Sequence, residues 1–143
     1  MSTRKDIINQ LKTDMVNAFD ATNVSYMNVT EVVCGIVNFD YFATRPAVAY
    51  WAFSDEKNDE YLDDERHRIL NIIIYGYTDL NNVDQNYDDI YDLADDVERF
   101  LMSSDWTYTD CTLLGDIIVT VGGTDNQRCM FDLTIQVEYV QEF

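Results

Sequence analysis

Asp84-x-Asn86-x-Asp88 opens with the spacing of a calcium-binding loop, and Asp92 and Asp95 stand at its ninth and twelfth places. Such a loop needs glycine at the sixth place for its sharp turn and a bidentate glutamate at the twelfth. Asp89 and Asp95 occupy those places instead. A helix start explains the same residues better. Asp84 or Asn86 can cap it, and Asp88 and Asp89 suit its positive N-terminal end by about 0.3 to 1 kcal/mol each. No metal ligand is assigned.

His67 is the only histidine, so Ser-His or Cys-His catalysis would have to run through it. It lies between Arg66 and Arg68 where a strand begins, which suits a surface side chain. Gly122-Gly123 could form a phosphate-binding turn, but no helix follows and neither GxxxxGK[ST] nor GxGxxG occurs. It reads as a hairpin turn. Cys34, Cys111 and Cys129 are odd in number and widely spaced, which suits neither a disulfide framework nor a zinc site; all three are expected as buried free thiols. Carboxylate pairs are so abundant that none singles out an acid–base site. The chain is therefore expected not to be an enzyme, with no catalytic or cofactor-binding residue.

Twenty-seven acidic residues against nine basic ones give a formal charge of -18, which excludes nucleic-acid or anionic-lipid binding through a basic patch. Hydrophobic residues at 47% and aromatics at 13% still supply a core, and 143 residues suit one domain burying roughly 68% of its unfolded surface. The start, MSTRKDII, lacks the apolar centre of a secretory signal, and no run approaches the roughly 18 residues of a membrane span. A cytosolic origin is expected. The glycosylation patterns at Asn23-Val-Ser25 and Asn28-Val-Thr30 are then chance matches.

The elements that would position any site follow from periodicity. Residues 84–101 write an amphipathic helix with Ile90, Leu93, Ala94, Val97, Phe100 and Leu101 on one stripe. Asp88, Asp92, Asp95 and Asp96 project from the other side as a solvent-facing or channel-facing acidic surface. A first helix is expected near residues 3–20, with Thr3 and Asp6 as a capping box. Strands are expected over 29–37, with a bulge near Gly35, over 47–53 after Pro46, and over 66–77, the last apolar on both faces and therefore central. Residues 54–65, SDEKNDEYLDDE, read as a loop or an extended hairpin tip. Tyr61 and Leu62 interrupt its charge, which favours an ordered protrusion over a solvated loop. A closing hairpin is expected from strands over 113–121 and 128–140, the second buried on one side only. The fold class is α+β: one domain, a mixed or antiparallel sheet of about five strands, and two main helices packed on it.

Ten tyrosines is a high count. Tyr41, Phe42, Tyr75, Tyr77, Tyr87, Tyr91, Trp106 and Tyr108 fall at strand ends, in loops or off the core stripe. Each could cap the core with a wet hydroxyl, but together they favour a protein that assembles. Tyr75, Tyr77, Trp106, Tyr61 and Leu62 are the candidate interface residues.

The order of elements, with the strings RPAVAYWAF, RILNIIIYGY, DDIYDLADDVERFL, LLGDIIVTVGG and CMFDLTIQVEY, resembles the tail terminator proteins of tailed bacteriophages. The resemblance covers nearly the whole chain and rests on arrangement more than on invariant residues. It implies a virion subunit of the tail–neck region, assembled in the host cytoplasm. Its expected partners are copies of itself in a homohexameric ring, the tail tube and the neck or connector proteins. DNA would only pass through the ring, and no membrane is involved. A negative lining would keep phosphates from sticking, and such rings close through head-to-tail contacts. No family site transfers residue by residue. The competing expectations are a DNA-mimic inhibitor of a DNA-binding enzyme, another neck or head-completion protein, and, more weakly, an enzyme or calcium-binding module.

Overall fold

A computed structural model describes residues 3–80, 88–122 and 128–141. The first helix, α1 (Arg4–Ala18), is closed at its start by the expected box: the Thr3 amide donates to Asp6 Oδ2 and the Asp6 amide to Thr3 Oγ1. Ile7, Leu11, Met15 and Ala18, at helical spacing, are its buried face. Five strands follow around a second helix: β1 (Glu31–Cys34), β2 (Ala47–Lys57), β3 (His67–Asp79), α2 (Asp88–Leu101), β4 (Cys111–Gly122) and β5 (Arg128–Val140). They form one mixed sheet in the order β1-β2-β3-β5-β4, in which only β1 and β2 run parallel. This is an α+β domain, and β3 is its middle strand, as its two-sided apolar pattern predicts.

Pairing register sets the faces. Val48, Tyr50, Leu70, Ile72, Ile74, Phe131, Leu133, Ile135 and Val137 line one of them, and the stripes of α1 and α2 pack there in a single core. Gly76 lies opposite Phe131 on this face. A Cβ at 76 would stand 2.0 Å from the Phe131 ring, so the glycine of the IYGY string makes room for an aromatic in the middle of the sheet. Among the described residues, the other face is covered at one end only. There the connection between β1 and β2, which contains a 3-10 turn at Phe39–Tyr41 and a cis Arg45–Pro46 bond, lays Phe42 and Phe39 over Ala47, Ala49, Tyr77 and Met130.

Several expectations are corrected. β1 is four residues long, ending before Gly35, where φ is +156°. β2 runs on through Ser54–Lys57 instead of stopping at Phe53, because ladder pairing to β3 and the Asp55–Arg68 ion pair hold polar residues in strand geometry. Residues 54–65 are thus the end of one strand and an ordered hairpin tip. Cys129 is buried, but Cys111 is half-buried and Cys34 is exposed on the edge strand. Burial pushes the Cys111 thiol up to about 11. Asp84, Asn86 and Tyr87, and with them the opening of the calcium-like string, lie outside the described residues.

Candidate assembly surfaces

The outer side of α2 follows from its period. Asp88, Asp89, Asp92 and Asp95 are exposed, with Tyr91 beside them at 53%. Asp96 is corrected: it does not face solvent with the others. Its carboxylate turns toward the loop after α1, accepting from the Met27 amide at 2.8 Å and pairing with Arg99 at 3.0 Å. Arg99 also donates to the Ser25 carbonyl and lies over the Tyr26 ring, 4.4 Å from its centre. One carboxylate of the four is therefore a strap between helix and loop, and three form a surface.

The aromatic candidates divide more sharply. Trp106 is 1% exposed, packed against Phe100 and Tyr108 with ring centres 6.3 and 5.3 Å away. The turn that carries it is pinned by Asp14, which accepts from both the amide and the hydroxyl of Thr107. Tyr77 is 2% exposed and donates its hydroxyl to the Val37 carbonyl at 3.0 Å. Both are core residues rather than interface residues. Tyr77 lies near the end of β3 and Trp106 shortly after α2, and in both cases another segment packs against the ring. Tyr75 is half-buried beside Tyr77, on the second face of the sheet.

Tyr61 and Leu62 do project, at 45% and 83% exposure, from the β2–β3 tip. The tip is built by local hydrogen bonds: the Tyr61 amide donates to the Asn58 carbonyl, Asp64 to Tyr61, and Arg66 to the Asp64 side chain. Asn58, 3% exposed, accepts from the Glu60 amide and donates to Glu138 Oε1 at 3.4 Å. Asp63 takes a positive φ of 64°, tolerable for aspartate. The Tyr61 ring stacks on His67 at 3.8 Å, and His67 Nε2 lies 3.2 Å from Asp64. His67, expected at the surface, is half-buried and serves as the platform for this stack. Below the tip, Asp55 joins β2 to Arg68 at 2.7 Å, to Arg4 of α1 at 2.9 Å and to the Tyr139 hydroxyl. Hydrogen bonding to Asp55 raises the Arg68 pKa; burial, then the Asp55 bond, raises that of Tyr139.

A surface that periodicity alone missed is the uncovered part of the sheet's second face. Trp51 and Ile73 are half-buried there, and Phe53, Leu114 and Ile118 are exposed at 45%, 38% and 56%. Trp51 stands over Phe53 with ring centres 6.1 Å apart. Asp132, paired between Tyr75 and Ile118, has its carboxyl pKa raised by desolvation. The signal that could have found this face is the apolar parity shared by Trp51, Phe53 and Ile73, too large a set for residues 37–46 to cover.

Among the described residues, no group of three His, Cys, Asp or Glu could hold a metal ion. No helix among them is long and apolar enough to cross a membrane. Neither a known family nor a curated protein matches the sequence.

Proposed function

We propose that the chain is a structural subunit of a tailed-bacteriophage virion: a tail terminator that forms a ring, a hexamer by resemblance, on the end of the tail tube. It would stop tube polymerisation and present a docking surface to the neck and head. The observation that carries this reading is the order of elements, a leading amphipathic helix, three strands, an acidic helix and a closing hairpin, together with the strings that fill them. Two surfaces support it. The exposed row Asp88, Asp92 and Asp95 suits an aperture through which DNA slides, since a carboxylate wall makes no contacts that release phosphate counterions. The apolar strip on the second sheet face and the knob at Leu62 suit contacts between proteins.

An acidic DNA mimic is the second reading, favoured by the charge of -18. Mass in solution, with negative-stain imaging of the chain added to tail-tube protein, separates the two. Rings, or tubes capped at one end, are expected. A strict monomer that never caps tubes yet blocks a nuclease would overturn the terminator reading.

A further inference from the structure

We propose that Leu62 on the β2–β3 tip of one copy seats in an apolar socket on a second copy, making a head-to-tail contact between identical chains. The knob is a leucine at 83% exposure held out by an ordered tip. Exposed Asp59, Glu60, Asp63 and Glu65 surround it, with Arg66 the cation among them. Such a knob fits an apolar hollow with cations on its rim.

The same chain carries that hollow. Phe39, Met130, Thr120, Gly122, Cys129 and Arg128 line a depression of about 160 Å³, of the size left when a core leucine is truncated. The guanidinium groups of Arg45 and Arg128 lie 4.2 and 5.1 Å from the Phe39 ring centre, so cations flank the apolar floor. Arg128 is paired with Asp40 at 2.6 Å, but their side chains are 43% and 65% exposed. The pair is bidentate, Arg128 Nη1 also donating to Asp40 Oδ2 at 3.1 Å, and a guanidinium with five donors has others to share with an incoming carboxylate. Arg45 keeps Asp79 at 2.7 Å and contributes its face to the ring.

Position makes the contact intermolecular. The tip precedes His67, where β3 begins, while Met130 pairs with Tyr77 and Arg128 with Asp79, where β3 ends. Thirteen strand residues separate them, on the order of 40 Å. A chain cannot fill its own socket, so the contact joins two copies; repeated head to tail it generates a ring or an open fibre. The contact rests on the assembling-subunit reading above and names the residues that would join its subunits.

The test uses the full chain in sedimentation equilibrium up to about 1 mM, a range that detects weak association. Wild type is expected to gain mass with concentration. Leu62→Asp, which empties the knob, and Thr120→Glu, which places a carboxylate at the exposed rim of the socket, are each expected to stay at 16.7 kDa. Mixed together, the two variants retain one good knob and one good socket, and a 1:1 pair that grows no further is expected. Wild type that remains monomeric at about 1 mM overturns the contact. So do variants that associate as well as wild type, and a mixture that stays monomeric. Capping of tail tubes by the same proteins reports separately on the terminator reading: wild type that caps tubes while Leu62→Asp still self-associates sinks the contact and leaves the terminator standing.

Discussion

The two faces of the sheet are made from the same strands, alternate residue by alternate residue, yet they finish differently. On one, α1 and α2 seal Ile72, Ile74, Phe131 and Ile135 to zero exposure. On the other, the twelve-residue connection between β1 and β2 seals Ala47, Ala49 and Tyr77 and leaves Phe53 and Ile118 in solvent. Apolar parity marks both faces alike. What decides burial is the length of chain available to lie across each, and a monomer with large residues left over on one face has surface suited to a partner.

The largest expected effect is on the sealed side. Trp106→Ala should cost about 3 to 5 kcal/mol in urea unfolding, as deletion of a buried aromatic does. Ile118→Ser on the open side should change stability by about 0.5 kcal/mol or less. Equal losses would abolish the contrast between the faces. A smaller effect sharpens the same contrast within α2. Asp96→Ala removes the acceptor of the Met27 amide and should cost on the order of 1.5 kcal/mol, whereas Asp95→Asn should fall within about 0.5 kcal/mol of wild type. If both are silent, the strap to the loop contributes nothing.

The smallest effect concerns pH. The Asp132 carboxyl has a raised folded-state pKa because burial disfavours its charge. The stability it contributes is present in full below the ordinary aspartate value of about 3.9 and is lost as pH rises through the raised value. Asp132→Asn cannot ionise, so its unfolding midpoint should exceed that of wild type at neutral pH, and the gap should close in acid. A gap independent of pH would mean that Asp132 is not desolvated on this face.

Where structure is written in local periodicity, it could be read: the Thr3–Asp6 box, the stripe of α2 and the alternation of β5 all hold in place. Long-range facts could not. Nothing in SDEK marks it as strand, because the bonds that make it one come from Arg68 and the β3 ladder. The burial of Trp106 depends on a turn pinned by Asp14 of a distant helix, and that of Tyr77 on a carbonyl forty residues away. Aromatics at the ends of elements look alike whether or not a segment folds back over them. Of the interface candidates, Tyr61 and Leu62 could be placed because they break a run of charge.

The outermost strand β4 carries one more consequence. Its register jumps between Leu114 and Ile118, with Gly115 at a φ of +67° and exposed Asp116 in the interruption. A strand arriving from solvent would find only Cys111–Leu114 or Ile118–Gly122 in regular ladder geometry, with a kink and a carboxylate between them. At the opposite margin β1 offers four residues. Neither border of the sheet can be extended by backbone pairing along its length. At high concentration the chain would thus be protected against runaway cross-β growth, and any partner would have to be met through side-chain contacts.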